Sequence, residues 1–172
     1  MNGRFKEIEI KSLKDNVFKI LDDEWMLITA GTRDSFNMMT ASWGSFGILW
    51  NLPIAIAFVR PHRHTFNFMN SNDQFTLSFF AEEHRHILNF CGQHSGRHVD
   101  KTKETGLIPF FTKEGSISFE QARLILECRK IYMEDLKADH FIEKEIIHKN
   151  YPNKDFHRLF IGEIIHCYVK HE

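Results

Sequence analysis

Between Phe36 and Trp50 the chain reads FNMMTASWGSFGILW. Two hydroxyls, Thr40 and Ser42, stand inside this apolar run with Ala41 between them, and Trp43 and Gly44 follow at once. A buried hydroxyl without a partner costs about 1–3 kcal/mol. Either this polar knot is a solvated turn, or it faces a polar ligand. In the second case Thr40, Ser42 and nearby amides offer hydrogen bonds, and Trp43 supplies an apolar wall with one indole N–H. A second group is VRPHRHT, Val59 to Thr65. Arg60 and Arg63 stand at a strand end just before an expected helix start, for which Thr65 is the expected cap. Guanidinium groups beside a helix N-terminus make an anion site, for phosphate above all. The third group is CGQHSGRHVDK, Cys91 to Lys101. Ser95, Gly96, Arg97, Asp100 and Lys101 place a hydroxyl, bare backbone and cations in one loop, a composition that binds anions through successive amides. Taken singly, each group also fits an ordinary surface turn.

Histidines and a cysteine raise a metal question: His62, His64, His84, His86, Cys91, His94 and His98. Cys91 and His94 have zinc-ligand spacing on a helix. No second close doublet accompanies them, and no carboxylate is placed as a partner to the ligands, so no metal is expected. There is no G-x-S-x-G elbow, Walker loop or G-x-G-x-x-G, which leaves hydrolase, NTPase and Rossmann readings without support.

The elements that must position these groups read as mostly strands. Trp25–Gly31 is an expected strand ending in a glycine turn, and FNMMTASWG continues as a second with a bend near Ser42–Gly44. Pro53–Pro61 is a buried strand by its β-branched, apolar run. His64–Asn72 is a short helix carrying Phe66 and Met69. Gln74–Phe80 alternates apolar and polar residues and is a strand. Ile87, Phe90 and Cys91 have helical spacing, ended by Gly92. ISFEQARLILECRKIYMEDL supplies a long β segment, and Phe156–Lys170 a last one with a kink at Gly162.

Composition bounds the rest. The length of 172 residues suits one domain without a visible boundary. Seventeen Phe against three Tyr implies a dry aromatic interior, or flat surfaces on which a planar ring stacks. A net charge of −1 with interspersed signs excludes a nucleic-acid footprint. Cys91, Cys128 and Cys167 lack a C-x-x-C pair and favour a reducing compartment. MNGRFKEIEIKSLKDN has no uninterrupted apolar run, so neither a signal peptide nor a membrane anchor is expected. A soluble, cytoplasmic protein follows as the expectation.

Together, NMMTASWGSFGILWNLPIAIAFVRPHRHT, FTLSFF, NFCGQHSGRHVDKTKETGL and ECRKIYMEDL resemble the flavin reductase-like, FMN-binding split-barrel family, specifically its flavoredoxin-like branch. The likeness runs from about Trp25 to Val169. It implies a mainly β fold, a six-stranded Greek-key split barrel with peripheral helices, over a single domain 1–172. It also implies a homodimer with FMN at or near the subunit interface. Residue by residue, Asn37, Thr40, Ala41, Ser42 and Trp43 match the segment around the flavin ring and ribityl chain. Arg60, Arg63 and Thr65 match the segment near the phosphate, and Ser95, Gly96, Arg97 and Lys101 the second loop. His98 stands where relatives often carry an acid. The implied activity passes reducing equivalents from NAD(P)H to flavin, or carries electrons on it, with no catalytic acid–base pair. Two alternatives accompany it: a binding module for flavin or another planar ligand without turnover, and a zinc-dependent protein.

Overall fold

The computed structural model describes residues 4–171. Ten strands are joined by short helices. They are β1 (Phe5–Ile8), β2 (Met26–Thr32), β3 (Ser35–Ala41), β4 (Gly44–Leu49), β5 (Leu52–Val59), β6 (Gln74–Phe79), β7 (Pro109–Phe111), β8 (Ile117–Phe119), β9 (Leu124–Asp135) and β10 (Arg158–Lys170). The helices are α1 (Val17–Lys19, prolonged by a π turn to Glu24), α2 (His64–Ser71), α3 (Arg85–Gln93), α4 (Lys101–Thr105) and α5 (Lys144–Asn150). Among the described residues, no helix is long and apolar enough to cross a membrane.

The main sheet is antiparallel and runs β3-β2-β6-β9-β10-β5-β4, with β1 pairing the far half of β10. It therefore holds eight strands. The two ends of the path, β3 and β4, are consecutive in sequence yet do not pair, so the sheet curls into a barrel that stays split. Ser42 and Trp43 form the link that steps from one edge to the other. Alternation along β2 explains how such a sheet acquires two cores. Met26, Ile28 and Ala30 face the barrel interior with Met39, Phe75, Leu126 and Phe160. Leu27 faces outward beneath α3, where it meets Ile87, Leu88 and Cys91. Burial on both faces is why β2 reads as a continuous apolar run.

Several local expectations are met and several are revised. The kink at Gly162 coincides with a shift in the β9–β10 register. A Cβ there would stand 2.7 Å from the Phe75 ring, so only glycine lets β10 cross that side chain. The long β segment is two strands, because Glu120–Arg123 turns between β8 and β9. Arg123 is drawn away at that turn by Glu24 and Asp15, with Nη2 donating at 2.5 and 2.7 Å. β6 alternates in sequence but is buried on both faces. The β7–β8 hairpin covers its polar side, where Thr76 donates to the Ile117 carbonyl at 2.6 Å and Ser78 meets Ser118 at 2.8 Å. α3 continues past Gly92 to Gln93, and His94 ends it in extended conformation.

Candidate functional site

The split edge of the barrel carries a cavity of about 420 Å³. Its floor is the end of β3 and the step to β4: Met39, Thr40, Ala41, Ser42 and Trp43. Phe58 and Arg60 reach it from the end of β5, and His157 from the residue just before β10. Most polar groups here are already partnered. Thr40 donates its hydroxyl proton to the Leu88 carbonyl of α3 at 2.6 Å. The Tyr151 hydroxyl and His157 Nδ1 are 2.8 Å apart. Arg60 donates to Asp155 at 2.6 Å and to the Asn150 carbonyl at 2.9 Å. Trp43 keeps 47% of its surface exposed, with its ring centroid 5.1 Å from that of His157. The result is an aromatic-walled space bordered mostly by internal hydrogen bonds, with Asp155 Oδ1 buried and unpaired.

His62 and Arg63 also line a second concavity of about 300 Å³, so the two are one groove with a joint. The second part lies between the start of α2 and the loop from Gly92 to His98. Asn37 crosses its base, donating to the Thr65 hydroxyl at 2.7 Å. Gly96 passes so close to Asn37 that a Cβ would stand 2.0 Å from the amide oxygen, which brings the loop backbone down onto β3. Arg97 reaches back across the groove to the His62 carbonyl at 3.0 Å, and its amide donates to Ser95 Oγ at 3.3 Å. Lys101, at the start of α4, is buried and donates to the Met38 and Cys91 carbonyls, both at 2.8 Å.

The second part is electropositive. Arg63, Arg97 and Lys101 converge there, and among the described residues no acidic side chain lines it. Burial pushes the Lys101 ammonium down to about 8, helped by Arg63. Burial and Arg60 lower Arg63, and burial, Arg97 and Lys101 lower His64. Arg63 Nη2 and His64 Nδ1 are buried without a hydrogen-bond partner. Cations crowded together with polar atoms unpaired are costly for the fold alone. An anion brought into this space removes both penalties. Beside the first cavity, burial drives His157 down to about 4, with Arg60 second, so its imidazole is neutral at pH 7.

The flavin reductase like domain model matches residues 22–172. The chain belongs to this family. Solved structures agree at the level of fold. A flavoredoxin from Methanosarcina acetivorans is 22% identical over 92% of this chain and 75% of its own, with a TM-score of 0.65. An FMN-binding domain of a flavin reductases-like enzyme from Shewanella baltica is 16% identical over 98% of this chain and 78% of its own, with a TM-score of 0.70. An NADH:FAD oxidoreductase from Streptomyces globisporus, in complex with NAD and FAD fragments, is 17% identical over 86% of this chain and 77% of its own, with a TM-score of 0.62. No curated protein sequence matches the chain.

In this flavin reductase-like chain the fold brings the sequence candidates together. All twelve line the two parts of the groove: Thr40, Ala41, Ser42, Trp43 and Arg60 the first; Asn37, Thr65, Ser95, Gly96, Arg97 and Lys101 the second; Arg63 both. Their local roles differ from the sequence expectation in three places. Thr65 does not cap α2; Arg63 precedes the helix, and Thr65 sits inside it bonded to Asn37. Arg60 is committed to Asp155, and Lys101 has one N–H left of three. Of the histidine–cysteine set, His62, His64, His94 and His98 line the recess, while His84, His86 and Cys91 do not. Cys91 points into the core while His94 stacks on Phe90 at 4.0 Å, and no three metal-ligating side chains converge among the described residues. Sequence reasoning missed Phe58, Tyr151, Asp155 and His157. Phe58 meets the knot because β4 pairs with β5, Gly44 opposite Ala57, and His157, bonded to Tyr151, because the start of β10 pairs with the end of β5, Arg158 opposite Val59, while Asp155 joins through Arg60.

Proposed function

We propose that the groove holds FMN, with the isoalloxazine ring in the aromatic cavity at Thr40–Trp43 and the phosphate in the cationic recess. The observation that carries this reading is the unpaired, buried Nη2 of Arg63 at the joint between the two parts. A charged donor buried without a partner in the chain calls for one outside it, a ligand or an ordered water. Arg63 and Arg97, with the amides of the Ser95–Arg97 loop, then receive the phosphate. Lys101 adds positive potential while tying α3, β3 and α4 together through its two carbonyls. Ser42 is free to bond the ligand, whereas Thr40 fixes the knot against α3. Trp43 and Phe58 exclude water from the ring, and neutral His157 adds a polar wall without charge. The flavin itself supplies hydride and single-electron transfer, which is why no acid–base pair is needed.

The activity proposed is NAD(P)H-dependent flavin reduction, in line with the family and with the NADH:FAD oxidoreductase of the same fold. The experiment is to load the purified protein with FMN, add NADH or NADPH without oxygen, and follow the flavin's visible bands. Bleaching, and turnover with excess flavin, is the expected result. Bound flavin that neither nucleotide bleaches makes the protein a carrier or binding module, and absence of flavin binding sinks the reading.

A homodimer is part of the proposal. Ile48 and Trp50, at and just beyond β4, are 64% and 58% exposed, and Trp50 stands edge-on to the exposed Tyr132. An apolar patch beside the split edge is better buried against a second copy than left in water. Light scattering that returns a monomer mass with flavin bound defeats this part alone.

A further inference from the structure

Arg63 is not alone in holding an open nitrogen at the recess. Nδ1 of His64 is also buried without a hydrogen-bond partner, and His64 lines the recess beside Arg63, Arg97 and Lys101. His64 is the first residue of α2. Phe68, one turn on, stands edge-on to the imidazole, with centroids 5.2 Å apart and planes at 89°. Packing across that turn fixes where the ring sits. The two open groups differ in one respect. A guanidinium carries its charge at any ordinary pH, whereas an imidazole gains or loses its charge near neutrality.

Every element packed around His64 contributes charge. Its own segment supplies His62 and Arg63, and the loop after α3 supplies His94, Arg97 and His98. Lys101 comes from α4, whose cap Asp100 lines the adjoining surface with Asp34 of the β2–β3 turn. Asp100 is occupied by the Lys103 amide at 3.1 Å, and among the described residues no acidic side chain lines the recess itself. Burial first, then Arg97 and Lys101, hold the imidazole of His64 below its ordinary 6.5, so it is neutral at pH 7 without ligand. A phosphate reverses that field, because an anion within reach favours the imidazolium and accepts from its N–H. We infer that His64 is a proton-coupled phosphate ligand: Nδ1 donates to the phosphate of FMN from a protonated ring, which takes its proton from solvent on binding and returns it on release. The inference rests on the flavin reading above and adds that the hold on the phosphate follows pH.

The sign follows from linkage. Where the ring is neutral without ligand and charged with it, affinity rises as pH falls, by at most about tenfold per pH unit. Lys101, at about 8, is already charged near pH 6.5, so proton uptake there is not its own. His94 commits Nδ1 to the Phe90 carbonyl at 3.1 Å, and His62 Nδ1 lies 3.3 Å from Asp155. A phosphate monoester also titrates, near about 6, but it does so with either protein, and comparison with His64→Asn removes it. The Asn amide can donate from nearly the same place and cannot take a charge. Titration calorimetry near pH 6.5, in two buffers of different ionisation heat, counts the protons taken up with each ligand. Wild-type protein should take up about half a proton more per FMN than His64→Asn does. Between pH 8 and pH 6 its preference for FMN over riboflavin should grow by about threefold or more relative to that of the variant. Riboflavin, which has no phosphate, should bind both proteins alike, and that shows the variant to be folded. Equal proton uptake in the two proteins overturns the inference. So does a variant that weakens riboflavin as much as FMN, because His64 would then serve the fold. Wild-type protein that binds no flavin, or does not prefer FMN to riboflavin, fails at the underlying reading and takes this inference with it.

Discussion

The two parts of the groove solve the same problem in opposite ways. Around the ring-side cavity most polar groups are paired with one another, Thr40 with the Leu88 carbonyl, Tyr151 with His157 and Arg60 with Asp155 Oδ2, while Asp155 Oδ1 is buried without a partner. In the recess beyond Arg63, cations lie together, and two buried nitrogens have no partner. Hydrogen bonds that close internally make a rigid surface whose contribution to a ligand is shape and dryness. Donors left open carry an unfavourable term that a partner from outside the chain relieves. On the proposed reading, the chain recognises by contact where polar atoms are satisfied and by charge where they are not.

The sharpest way to break this contrast is Arg63→Ala. Losing an open, charge-assisted donor should weaken FMN by roughly 1.5–3 kcal/mol, about ten- to a hundredfold, and leave riboflavin nearly unchanged because it has no phosphate. Equal losses for both ligands would move the anion site elsewhere. Lys101→Met tests whether the most buried cation of the recess belongs to the fold. Its removal strands two buried carbonyls, so urea unfolding should report a stability loss of roughly 1–3 kcal/mol even without ligand. Unchanged stability would make Lys101 a ligand contact alone.

On the ring side, Trp43→Ala removes a wall that is already partly wet. FMN and riboflavin should weaken together, each by about tenfold or about 1.4 kcal/mol, with the barrel still folded. If FMN affinity and the visible spectrum are unchanged in the variant, the knot at Thr40–Trp43 is only a solvated turn. A last effect concerns pH. His157 has its imidazole pushed from the ordinary 6.5 to about 4 by burial, with Arg60 second. Between those values the unfolded chain binds a proton that the folded chain does not. Its contribution is therefore complete above about pH 6.5 and falls as pH drops toward 4. Urea midpoints at pH 7 and pH 4.5 should differ less in His157→Gln than in wild type; an equal difference would mean that His157 titrates freely.

The same contrast explains what was legible in the sequence. The knot stood out because hydroxyls interrupt an apolar run, and the step of Ser42–Trp43 between two unpaired sheet edges accounts for that interruption. The cationic loop stood out by type, since Ser-Gly-Arg backbone and guanidinium chemistry depends little on distant partners. What escaped was pairing at long range. Thr40 meets Leu88 and Lys101 meets Met38 only after α3 and α4 pack on β3, and no local pattern encodes that. His157 escaped because a histidine before a strand is unremarkable until the β10–β5 register sets it beside Phe58. Gln74–Phe79 is the strand that its alternation implies. Its alternation is real, but the β7–β8 hairpin supplies partners for Thr76 and Ser78, so the polar face is buried too. The mainly β split barrel, in contrast, was legible from strand patterns and resemblance together, because apolar periodicity is set by burial over whole strands.

The most direct test of charge recognition in one part and contact recognition in the other is a calorimetric titration of wild-type protein with FMN and with riboflavin at low and high salt. FMN should bind at least about tenfold more tightly, and added salt should erode that advantage while leaving riboflavin almost untouched. Equal affinities at low salt, or equal salt dependence for the two ligands, would contradict the account.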